Sequence, residues 1–179
     1  VFDVHPSDAL LLGYWLDEQD AEVRADVLER ARAIRESVLR RRDELVEEGE
    51  TELAGWVPED GFRLLFSATV TRLAAGVLGG CPLLGPEGEC RAHVSRPAIC
   101  RLQGLPWRDR ASGEVLPDLC RLEEGMADNL PQPLELGRLD ALRHETEESV
   151  AAERGRRLPA GRSFVAEVLL RWAQPGGEG

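Results

Sequence analysis

The chain carries four cysteines, Cys81, Cys90, Cys100 and Cys120, all in the stretch CPLLGPEGECRAHVSRPAICRLQGLPWRDRASGEVLPDLC at spacings C-x8-C-x9-C-x19-C. Four thiolates can close a tetrahedral zinc site or carry an iron–sulfur cluster, and this spacing does not choose between the two. Paired C-x2-C knuckles are absent. Two hexapeptides, PAICRL (Pro97 to Leu102) and PDLCRL (Pro117 to Leu122), repeat one pattern twenty residues apart, with Pro three residues before Cys and Arg just after. Proline favours the first position of a helix, so each of these thiols is expected in a first helical turn. Unpaired backbone N–H groups there lower a thiol pKa.

The charge around the thiols has the opposite sign to the rest of the chain. From Cys81 to Arg121 there are six Arg and five Asp plus Glu, a net of +1, against −11 for the whole chain and therefore −12 for the remainder. Arg91, Arg101 and Arg121 each follow a cysteine directly. Positive charge beside a thiol favours its ionisation and so metal affinity. Arg96, at the turn into Cys100, and Arg101 are the residues expected to tune the charge of the site; Arg91 and Arg121 are equally compatible with pointing to solvent. His93 lies between two cysteines and could replace a thiolate in a Cys3His set, although a surface or capping role suits it better. His5, beside Pro6, and His144, on a charged stretch, are weaker candidates. The competing reading of all four cysteines is that they are small buried apolar residues.

Composition narrows the function class. There are 22 basic and 33 acidic residues, and every basic residue is arginine. Nucleic acid is not an expected partner, because phosphate binding needs a basic face and Arg40-Arg41-Arg42 is followed at once by Asp43, Glu44, Glu47 and Glu48. No apolar run approaches the roughly 20 residues of a membrane span, and no signal-peptide pattern opens the chain. The expectation is a cytoplasmic protein whose clustered cysteines are metal ligands or redox groups, not disulfides.

The elements that must position the cysteines read mainly as helices. Helix-start residues at His5-Pro6-Ser7-Asp8 precede Leu10, Leu11, Tyr14 and Trp15, which predicts a helix over 6–16. From Asp20 to Glu48 the stripe Val23, Val27, Ala31, Ile34, Val38 and Leu45 predicts a long helix, its charges a solvated face laced with i,i+4 pairs. A third helix is expected from Phe62 to Val77, stopped by Gly79-Gly80. The cysteine stretch, punctuated by Pro and Gly, is expected to form turns and short helical pieces, and a loop of this length in a compact domain needs something to hold it. A helix over 134–154 and a last helix with Ser163 as its N-cap complete the chain. In that last helix Phe164, Val165, Val168, Leu169 and Trp172 make an apolar face. At 179 residues the chain fits one domain, 1–174, which buries about 70% of its unfolded surface, with 175–179 a disordered tail. The fold class is mainly α: a single helical domain with an irregular cysteine-rich metal-binding loop between helices.

The pattern Cys81-Pro82-x-Leu84, Gly88-x-Cys90, Arg96-Pro97-x-x-Cys100-Arg101, with Cys120 beyond it, resembles the YkgJ-like cysteine-cluster family, a zinc- or iron-chelating domain named for a CxxCxxCC motif. The similarity extends to FDVHPSDALLL near the start and GRRLPAGRSFVAEVLL near the end. The CxxCxxCC cluster itself precedes the first of these segments in the family and is not in this chain. The resemblance implies zinc or iron chelation; one related group is described as flagellin lysine methylases, and nothing in this sequence points to that substrate. Three readings follow. The first is a metal-binding protein with Cys81, Cys90, Cys100 and Cys120 as ligands of zinc, iron or an iron–sulfur cluster. The second is a redox or methyl-transfer enzyme built on such a centre, which would need an open coordination position. The third is a metal-free helical module that binds an unknown protein partner.

Overall fold

The structure is a computed structural model, and it describes residues 3–60, 67–75, 77, 80–102, 107–108, 115–116, 134–135 and 163–174. These are mainly helical, and among them no helix is long and apolar enough to cross a membrane. The chain divides into two compact units, Val1–Pro97 with Leu158–Gly179, and Ala98–Arg157.

In the first unit, α1 (Pro6–Asp17) starts where the sequence predicts, with Pro6 in the first turn and His5 extended before it. α2 (Ala21–Glu47) is capped by Asp20, whose carboxylate accepts the Val23 N–H at 2.9 Å. A cap of this kind contributes about 1 kcal/mol. The predicted stripe is buried from Val27 through Ala31, Ile34 and Val38 to Leu45. Gly49 ends the helix at φ 99°, and two bonds close that end, Gly49 N–H to the Val46 carbonyl and Glu50 N–H to the Leu45 carbonyl. This is the paired-bond stop that a residue with positive φ permits, which is why glycine stands there.

α3 (Ser67–Ala75) buries Thr69 and Leu73; the earlier part of the predicted third helix, 62–66, lies outside the described residues. The last helix, α5 (Val165–Trp172), packs against both α1 and α2. Its first capping residue is Phe164, not Ser163. Ser163 and Phe164 instead form a strand paired antiparallel with Asp3–Val4, in register Asp3↔Phe164 and Val4↔Ser163. That pairing keeps both residues extended and delays the helix past the expected cap. Nor is α5 apolar on one face only, since Val165 through Leu170 are all buried. Leu11, placed by spacing among the apolar residues of α1, is half exposed.

The α1–α5 contact is built on a glycine. A Cβ on Gly13 would lie 2.1 Å from the Trp172 ring, so only hydrogen leaves room for it. Trp172 also meets Tyr14 edge to face, with centroids 5.3 Å apart, and donates its indole N–H to Asp17 at 3.0 Å.

In the second unit, α4 (Ala98–Leu102) follows Pro97. Trp107–Arg108 pairs antiparallel with Val115–Leu116 and parallel with Leu134–Glu135. Part of the cysteine stretch is therefore strand, where only turns and helical pieces were expected. Leu134–Glu135, predicted to open a helix, is strand as well; the rest of that expected helix and the tail 175–179 lie outside the described residues.

Candidate functional site

Cys81 and Cys90 stand on the two limbs of a short hairpin. Pro82 opens a turn in which Leu84 N–H reaches the Cys81 carbonyl at 3.2 Å. Pro86 follows in a second turn, closed by Gly88 N–H to the Gly85 carbonyl at 3.1 Å, with Gly88 at φ 83°. The limbs are joined by an antiparallel bridge between Leu84 and Cys90, by Gly85 N–H to the Glu89 carbonyl at 2.7 Å, and by Arg91 N–H to the Leu83 carbonyl at 2.9 Å. These are the turn chemistries that Pro at a second turn position and Gly at positive φ support.

The hairpin is held by the protein around it. Leu83 and Ala92 are 2% and 1% exposed and belong to the central hydrophobic cluster, against which Cys81 and Cys90 pack half-buried. Two side chains of α2 reach over to it: Asp26 takes the Arg91 guanidinium at 2.5 Å, and Arg30 donates to the Leu84 carbonyl at 2.5 Å. Apolar anchoring and these polar contacts hold the hairpin from Cys81 to Ala92 in place.

The surroundings of Cys81 favour its neutral thiol. Burial, above all, pushes the Cys81 thiol up from its ordinary 9.0; the Leu83 N–H donated to its sulfur pulls the other way, the Cys90 sulfur adds to the rise, and the Arg96 guanidinium opposes it. Cys81 alone therefore keeps its proton at neutral pH. A cation held by Cys81 and Cys90 would reverse this balance, since it would offset the repulsion between the thiolates and favour loss of the proton. Arg96, expected beside the thiols, is the smallest of these influences on Cys81. Arg91 points to Asp26, neither to a sulfur nor freely to solvent.

Cys100 lies in the first turn of α4, half-buried, as the proline three residues before it predicts. Arg101 is exposed on the same helix. Cys120, with its repeat 117–122 and Arg121, and His144 lie outside the described residues. His93 is exposed, and the His5 Nδ1 lies 3.3 Å from the Ser7 hydroxyl, so neither histidine joins the thiols. Among the described residues no group of three or more His, Cys, Asp or Glu side chains comes together as a set of ligands. Two thiols, an N–H donated to sulfur and a guanidinium form the part of the candidate site that lies in the first unit.

The residues missed in the sequence are Asp26, Arg30 and Leu83. The two charges read as ordinary members of a solvated helix face, and their i,i+4 pair at 3.2 Å would stand on that face in any case. No protein-family model, curated protein or solved structure matches the chain.

Proposed function

We propose that this protein binds zinc or iron, as a single ion or an iron–sulfur cluster, with Cys81, Cys90, Cys100 and Cys120 as ligands. The observation that carries the reading is the Cys81–Cys90 hairpin. It presents two half-buried thiols whose charges interact, with a backbone N–H donated to one sulfur. Donated N–H groups and a nearby guanidinium stabilise thiolates and adjust the potential of a cluster. The repeated Pro-x-x-Cys-Arg-Leu pattern supplies Cys100 and Cys120, and the motif resemblance to a zinc- or iron-chelating family points to the same metals. Arg96 and Arg101 are its charge-tuning neighbours. Unliganded core thiols are the competing account, because Cys81 and Cys90 also pack on the hydrophobic cluster.

Titration of the metal-free protein with Co²⁺, in the wild type and in each of the four Cys→Ser variants, separates the two. Thiolate ligation gives a sulfur-to-metal charge-transfer band that saturates at a fixed stoichiometry and weakens or vanishes in every variant. A wild type without the band, or variants that all match it, refutes the proposal.

A further inference from the structure

Resting on the metal-binding reading, we propose that Asp26 is a positioning residue for the thiol site. Its carboxylate holds two guanidiniums at once, Arg91 at 2.5 Å and Arg30 at 3.2 Å. Arg91 is the residue directly after Cys90, and Arg30 donates in turn to the carbonyl of Leu84, the bridge partner of Cys90. The contacts close a ring that runs from Asp26 through Arg91 to the Cys90 backbone, across to Leu84, and back through Arg30. Both limbs of the hairpin are thereby tied to a helix of 27 residues. Cys90 has little freedom to move away from Cys81 while that ring is intact.

The chemical value of this is preorganisation. A metal that meets thiols on a loop already tethered to the helix does not have to order that loop, and loosened support is a common way such a site loses affinity. Removing partners that orient metal ligands typically lowers metal affinity about 10- to 100-fold. Asp26→Asn removes the charge that holds Arg30 and Arg91 together and leaves the cysteines themselves untouched. Arg91→Gln cuts the same link from the loop side.

The test uses the full chain and Co²⁺ as the probe, with Asp26→Asn, Asp26→Glu, Arg91→Gln and the Asp26→Asn/Arg91→Gln double variant. The expected result is an unchanged stoichiometry and charge-transfer band, with affinity about 10- to 100-fold weaker in Asp26→Asn and partly restored in Asp26→Glu. The double variant loses no more than the worse single one, because both break one ring. In the metal-free state, Cys90 of Asp26→Asn reacts faster with a disulfide reagent than in the wild type, while the far-ultraviolet dichroism stays the same. Wild-type affinity and thiol reactivity in Asp26→Asn, or additive losses in the double variant, overturn this inference and leave the metal-binding reading intact. A wild type that takes up no Co²⁺ overturns both.

Discussion

Leu83→Ala tests whether the cysteine hairpin is anchored by the core. Leu83 is 2% exposed and sits between Cys81 and Cys90 in the chain, inside the central cluster. The substitution removes apolar carbon worth about 0.8 kcal/mol per methylene and leaves a cavity; buried Leu→Ala changes cost about 2–5 kcal/mol. A loop site can collapse further than a helix interior, which places the expected loss at about 3 kcal/mol. With a urea dependence of about 2 kcal/mol per molar, the unfolding midpoint of the metal-free protein falls by about 1.5 M at unchanged slope. On the metal-binding proposal, zinc at about a hundred times its dissociation constant would raise the wild-type stability by about 2.7 kcal/mol, so zinc and the Leu83→Ala substitution would act on the midpoint with comparable size and opposite sign. A midpoint shift below about 0.5 M would mean that Leu83 does not anchor the hairpin, and would refute the reasoning.

Other perturbations bear on the same frame. Gly13→Ala drives a Cβ into the Trp172 ring, so the indole leaves Asp17 and α1 separates from α5; tryptophan fluorescence shifts and stability falls by about 2 kcal/mol or more. Glu167 is 1% exposed and is held by Arg35 at 3.3 Å and Arg171 at 3.1 Å. Because both arginines remain about one-third exposed, Glu167→Ala is expected to cost about 1–3 kcal/mol in urea unfolding, less than a fully buried pair would, whereas Glu167→Leu is expected to lie within about 1 kcal/mol of the wild type. Equal losses in the two variants would contradict that account. The Arg91 guanidinium, first of all, holds the Asp26 carboxyl below its ordinary 3.8. A lowered folded-state pKa gives stability that is present above 3.8 and lost as pH falls through the folded value, so the stability difference between the wild type and Asp26→Asn should shrink in acid; a difference that grows there has the wrong sign.

The long helix and its ends were legible because their signals are local. Asp20 caps its own helix three residues on, the stripe from Val27 to Leu45 repeats every turn or so, and Gly49 takes the positive φ of a helix stop. The turns around Pro82, Pro86 and Gly88 were legible for the same reason, as was the place of Cys100 behind Pro97. What escaped depends on residues far apart in the chain. Asp26 and Arg30 satisfy an i,i+4 pattern whether or not a loop lies beside them, so nothing near them in the sequence announces Leu84 or Arg91. Glu167 sits among apolar residues of α5, and its partner Arg35 lies on another helix. Ser163 looks like a cap, but strand pairing with Val4 claims its backbone first. Leu83 is a single apolar residue in a turn, with no periodicity to mark it as core.

The central claim is that the clustered thiols hold a metal. Anaerobic purification of the wild type and of a Cys81→Ser/Cys90→Ser variant, followed by elemental analysis for zinc, iron and sulfide per chain, tests it most directly. The account predicts a fixed amount of zinc or iron in the wild type, with sulfide if the centre is a cluster, and its loss in a variant that still folds. Folded wild-type protein that retains neither metal, and takes up neither on reconstitution, would contradict it.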